Sequence, residues 1–262
     1  MSVYNPELSI QGAEAFLGDC QIEVAFRFGH AEGVLAGAEL LAQVCTAFAD
    51  AGRLGAYAKA GNTRYEPTLR VSELVRMNER EAGVLFTASN LDPKAFQFLR
   101  NMLGALAQLD VVLSDIRISA RGSGAAKAIR LPPVEEDNES DAYPGTAITA
   151  VQFELIWSDS DFSKVRRVLV EFGYPPPTDL LQQIKPYVDA WYLLLEMGAF
   201  SAPFGLPFET VSQRGQVSLF DEMSYEISIS RFISSEAGFR VLANMLGHFH
   251  RHVLPIVSVE ID

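Results

Sequence analysis

The chain has 262 residues, a formal net charge of −12, and a composition 48% hydrophobic and 21% charged. That composition is globular, and the length leaves room for two domains that each bury a core. The excess of acid argues against a large phosphate-binding footprint, because nucleic-acid affinity comes from Lys and Arg neutralising phosphates; a basic partner is electrostatically easier.

The opening residues Met1-Ser2-Val3-Tyr4-Asn5-Pro6-Glu7 show neither the basic nor the apolar region of a secretion signal. Cys20 and Cys45 form no CxxC pair, and Cys45 sits in an apolar helical run. The apolar stretch Val188 to Phe200 is interrupted by Asp189 and Glu196 and is too short to span a bilayer. The expectation is a cytoplasmic protein with no membrane contact. Ile22, Val24, Phe26 and Phe28 alternate with polar neighbours as a half-buried strand, and residues 34–51 form a helix rich in Ala and Leu. Residues 68–76 and 83–89 read as two strands joined by Asn78-Glu79-Arg80-Glu81. Asp92-Pro93 supplies a cap and a first-turn proline for a helix with the stripe Phe96, Leu99, Leu103, Leu106, and residues 111–118 close the unit as a strand. The order is βαββαβ.

An offset of 143 positions carries Arg53–Ile118 onto Glu196–Ile261 without a gap, with Gly55-Ala56 on Gly198-Ala199 and Asn101-Met102-Leu103-Gly104 on Asn244-Met245-Leu246-Gly247. So long a period means two copies of a domain. In the second copy Val151, Phe153, Leu155 and Trp157 alternate as the expected first strand, followed by an insertion at about 158–177 and a helix over 180–197. Strands follow at 215–220 and 224–231, then a helix capped by Ser235 and a last strand over 254–261. The expected fold is α+β, a tandem duplication of a ferredoxin-like βαββαβ unit giving two four-stranded antiparallel sheets with helices on one face. Residues 1–119 and 149–262 are the units, and the Gly-, Pro- and acid-containing stretch 120–148 is the linker.

No residue cluster names a reaction. His248 and His252 lie one helical turn apart, but no third ligand follows from the spacing, and the first copy has Ala105, Ala107 and Leu109 at the matching positions of His248, His250 and His252; no metal is expected. There is no nucleophile elbow, and Gly122-Ser123-Gly124 lacks the Lys of a phosphate-binding loop. The repeated pair Asn101 with Gly104 and Asn244 with Gly247 suits close helix packing where the copies meet, a ligand or partner contact, or ancestry without a role.

In a βαββαβ unit the helices leave one sheet face open. In the second copy that face carries Glu154, Glu226 and Glu260, expected on three adjacent strands, with Asp221 and Glu222 in a neighbouring hairpin and Asp159 and Asp161 at the insertion. The first copy carries the mixed set Glu23, Arg27, Leu85, Thr87, Asp115 and Arg117. In size, acidity and lack of catalytic motifs the chain resembles the acidic immunity proteins that neutralise secreted bacterial toxins, often nucleases. That resemblance implies a non-enzymatic protein without a cofactor that holds a basic protein partner through these seven acids, without direct nucleic-acid contact. The alternative is an enzyme or ligand-binding protein with a pocket between the repeats, lined by Trp191, Tyr192, Tyr174 and Pro175-Pro176-Pro177.

Overall fold

The computed structural model describes residues 7–11, 20–29, 31–57, 68–76, 80–89, 95–106, 113–121, 128–130, 151–158, 167–200, 216–229 and 236–262. The first sheet is built from β1 (Glu7–Gln11), β2 (Cys20–Phe28), β3 (Thr68–Arg76), β4 (Glu81–Ser89), β5 (Leu113–Arg121) and β6 (Ala128–Arg130), in the order β3-β4-β2-β5-β1-β6. The helices α1 (Ala31–Arg53) and α2 (Phe96–Ala105) belong to it. The second sheet contains β7 (Glu154–Trp157), β8 (Arg167–Phe172), β9 (Val217–Leu219), β10 (Ser224–Ser228) and β11 (Ile256–Ile261), in the order β7-β11-β8-β10-β9. Its helices are α3 (Leu180–Glu196) and α4 (Glu236–His252). No helix among the described residues is long and apolar enough to cross a membrane.

The sheets therefore have six and five strands, not four each. The extra strands are β1 and β7, which run parallel to β5 and β11, and β6, which lies antiparallel to β1 within the stretch expected to be linker. The remaining pairs in both sheets are antiparallel. The residues expected to start the second copy as its first strand form β7, at the sheet edge. The strand in the position of β2 is β8, inside the stretch taken as an insertion. Its alternation is plain: Val168, Val170 and Phe172 are buried, while Glu171 between them is exposed. The expected cap at Asp92-Pro93 and the cap at Ser235 lie outside the described residues. The residue before α2 is Ala95, which makes no side-chain cap.

Two local devices occur twice. Opposite Phe28 stands Leu113 and opposite Arg27 stands Asp115, so Ser114 is bulged; opposite Phe172 stands Ile256 and opposite Glu171 stands Ser258, so Val257 is bulged. A bulge bends and twists its strand locally. Helices α1 and α3 both end on a glycine in the left-handed region, Gly55 at φ 88° and Gly198 at φ 77°. The amide of Ala56 donates to Ala51 O at 3.0 Å and that of Gly55 to Gly52 O at 3.1 Å; Ala199 donates to Leu194 O at 3.0 Å and Gly198 to Leu195 O at 2.9 Å. These are paired Schellman closures, which satisfy the last helical carbonyls.

The cores follow the same plan. Phe96 packs on Phe48 at 5.5 Å between ring centroids and Phe239 on Trp191 at 5.9 Å, and all four side chains are fully buried. The indole of Trp191 donates to Gly238 O at 2.8 Å, so its single polar atom is satisfied. Helix α1 packs on α3, bringing the helical layers of the two halves together. Across that seam Asn101 Nδ2 donates to Ala199 O at 3.0 Å and Asn244 Nδ2 donates to Ala56 O at 3.4 Å. The repeated asparagines thus each hold the carbonyl just beyond the other half's helix-ending glycine. Of the three readings of that pair, the contacts of the asparagines are those of packing between the two halves. Phe98 adds an edge contact to Phe200 across the seam at 5.4 Å.

Candidate functional site

With the helices on the inner faces, each sheet has one face turned away from its helices. On the first sheet that face balances its charges internally. Arg117 Nη2 lies 2.8 Å from Glu81 Oε1 and its Nε 3.2 Å from Asp115 Oδ1, and Arg27 and Arg70 are exposed on the same face.

The second sheet differs. Its register sets Glu154, Ser258, Glu171 and Ser224 in one row across β7, β11, β8 and β10. The next row holds Ile156, Glu260, Leu169, Glu226 and Ser218, and the third holds Asp262, Arg167, Ser228 and Gln216. Strands about 4.8 Å apart and same-face residues about 6.8 Å apart put Glu154, Glu171, Glu226 and Glu260 within roughly 16 Å of one another. Among the described residues none of these four has an ion-pair partner. The one cation in the three rows, Arg167, is held by Asp262, with Nη2 and Nε at 2.8 and 3.0 Å from Oδ2.

Hydroxyl groups fix two of the carboxylates. Ser258 Oγ donates to Glu171 Oε2 at 2.7 Å, and Ser158 Oγ donates to Glu260 Oε1 at 2.7 Å. A carboxylate so oriented loses less freedom when a cation arrives. Between the acids lie the apolar Ile156, Leu169 and, at the end of β9, Phe220, which is half exposed. Such a surface can hold ammonium or guanidinium groups and cover an apolar stretch between them. No histidine lies in the three rows.

The three glutamates expected together stand on this face, but not on adjacent strands. Glu154 is on β7 and Glu260 on its neighbour β11, while β8 separates Glu260 from Glu226 on β10. Asp221 and Glu222 are exposed in the β9–β10 hairpin. Asp221 Oδ1 accepts the Met223 amide at 2.8 Å, an Asx turn. Its carboxyl is held below the ordinary range first by the neighbouring Ser224 side chain and then by that amide. Asp159 and Asp161 lie outside the described residues. Reading the sequence missed Glu171, Arg167 and Asp262, although Phe172-Gly173 at the end of β8 repeats Phe28-Gly29 at the end of β2.

The remaining candidates take structural positions. Trp191 and Tyr192 are wholly buried in the second half, with Tyr192 Oη donating to Ser228 O at 2.7 Å, so neither can line a solvent-reached pocket; Tyr174 is half exposed. His248 Nδ1 lies 3.0 Å from Tyr187 Oη, His250 Nδ1 accepts the Ile256 amide at 2.9 Å, and His252 is exposed. Among the described residues no group of three or more His, Cys, Asp or Glu is placed to hold a metal ion. Both cysteines are buried and free, and burial pushes the Cys45 thiol far up. Neither a family model nor a curated protein matches the chain.

Proposed function

We propose that this chain is a non-enzymatic binding protein whose second sheet offers its open face to a basic protein partner. The observation that carries the reading is the set of four carboxylates, Glu154, Glu171, Glu226 and Glu260, without cation partners among the described residues, on the same face whose counterpart in the first sheet neutralises its own acids. Unpaired like charges on one face cost stability through repulsion, so a face of this kind makes physical sense when a cationic surface completes it. Neutralising a secreted nuclease toxin, by covering the basic cleft that would hold nucleic acid, is the action that fits such a surface.

The architecture that presents it is a tandem duplication of a ferredoxin-like unit, each copy extended by one strand parallel to its last. Supporting this are the matching strand order, the bulges at Ser114 and Val257, and the glycine closures at Gly55 and Gly198.

The test is capture from the native host with the parent and with Glu154→Lys/Glu226→Lys/Glu260→Lys in parallel, followed by titration of the captured protein at two salt concentrations. A basic protein should bind the parent, more weakly at high salt, and the triple variant at least about a hundredfold more weakly. Glu39→Lys, on the exposed surface of α1, should bind as the parent does. An acidic partner, salt-indifferent binding or an unimpaired triple variant would reduce the face to a solvated surface.

A further inference from the structure

We propose that Arg167 is an intramolecular place-holder. Its guanidinium occupies a seat formed by Asp262 and Phe220 that an arginine of the partner takes over on binding. This rests on the reading of the second sheet's open face as the docking surface and deepens it, because it specifies guanidinium rather than ammonium as the group recognised.

Four features of the seat carry the inference. Arg167 is the one cation in three rows that hold five acids, and its Cζ lies 5.8 Å from the centroid of the half-exposed Phe220 ring. A carboxylate with an aromatic face beside it suits a planar, weakly hydrated guanidinium better than a compact ammonium. The grip is incomplete: Nε and Nη2 both point to Oδ2, and Asp262 Oδ1 has no partner among the described residues. A guanidinium aligned with both oxygens makes the stronger forked pair.

The existing pair is also easily vacated. The two side chains are 39% and 46% exposed, and ion pairs that open to solvent contribute little. Releasing the side chain does not unzip the sheet, because Arg167 N donates to Asp262 O at 2.9 Å and Asp262 N to Arg167 O at 3.1 Å.

Calorimetric titration of the full chain with hexa-arginine and hexa-lysine peptides at low salt tests this. Arg167→Gln removes the competitor together with one positive charge, whereas Arg167→Lys keeps the charge and removes the guanidinium. The expected result is about three- to tenfold tighter hexa-arginine binding by both variants, with a smaller change for hexa-lysine and loss of the gain when Phe220→Ala is added. Melting curves matching the parent's establish that the variants fold. If Arg167→Lys binds hexa-arginine as the parent does, or if Arg167→Gln improves both peptides equally, the effect is net charge alone and the seat is disproved while the docking face stands. If Glu154→Lys/Glu226→Lys/Glu260→Lys leaves both peptides bound as before, or if neither peptide binds the parent or either Arg167 variant, the docking face fails and the seat with it.

Discussion

Tyr57 carries a polar atom that its place does not satisfy. It is 1% exposed, stacks on Phe48 at 4.6 Å, and its hydroxyl makes no hydrogen bond among the described residues. A buried polar group left unpaired costs about 1 to 3 kcal/mol, and the second half carries Phe200 at the matching position. Tyr57→Phe is therefore expected to stabilise the protein by about 1 kcal/mol in urea unfolding. The same burial pushes the Tyr57 phenol well above its ordinary value. The fold then keeps a proton that the unfolded chain gives up, so this contribution to stability is intact below about pH 10 and declines as pH rises beyond it. Tyr57→Phe should flatten that alkaline decline. The buried Cys45 thiol acts in the same direction from a lower pH and leaves a residual slope. An unchanged slope in the variant would show that the phenol is not held above its ordinary value.

At the scale of elements, the helices and the strands that follow them were legible and the entry to the second half was not. From the end of α1 onward the offset of 143 is continuous, and it runs back through the buried positions of the first helices, Leu41 with Ile184, Cys45 with Val188 and Phe48 with Trp191. The offset is 144 from Phe28 to Phe172 but 143 from Leu41 to Ile184, so the second half has one residue fewer between these positions, and that breaks the register there. β7, whose Leu155 and Trp157 pack inward while Glu154 and Ile156 face out, alternates as cleanly as a first strand would. Period-two alternation reports a half-buried strand and says nothing of its neighbours. The glycine closures were equally unreadable as seam contacts, because tertiary packing gives them that role. A Cβ on Gly55 would stand 2.6 Å from His248 Cβ in the other half, and its φ of 88° already disfavours any side chain. Gly55→Ala is expected to cost about 2 to 4 kcal/mol, the left-handed penalty and the overpacking together. A cost under about 1 kcal/mol in chemical denaturation would mean that the seam gives way easily.

Across the whole molecule, the near-symmetric seam and the unequal outer faces separate what holds the protein together from what it presents. Asn101 and Asn244 make reciprocal bonds, as an isologous interface requires, whereas the charges on the two open faces have diverged. If the acids of the second face serve a partner, they contribute nothing to the free protein and repel one another. Glu226 and Glu260 flank Leu169 in one row, two strand spacings or about 9.5 Å apart. At that distance two unit charges repel by about 0.4 kcal/mol in water, and since the Debye length is about 8 Å at physiological salt, most of this is screened there. Glu226→Gln/Glu260→Gln should therefore raise stability by about 0.3 kcal/mol at 10 mM salt and by almost nothing at 300 mM, with the Ser158 bond kept because glutamine retains the accepting oxygen. The same variant should lose affinity for the basic partner. Gaining stability while losing capture is the signature of a surface kept for binding. Unfolding curves at the two salt concentrations decide the matter: a double variant less stable than the parent at both would mean that these carboxylates hold the sheet together, and the case for a docking face would fall with that result.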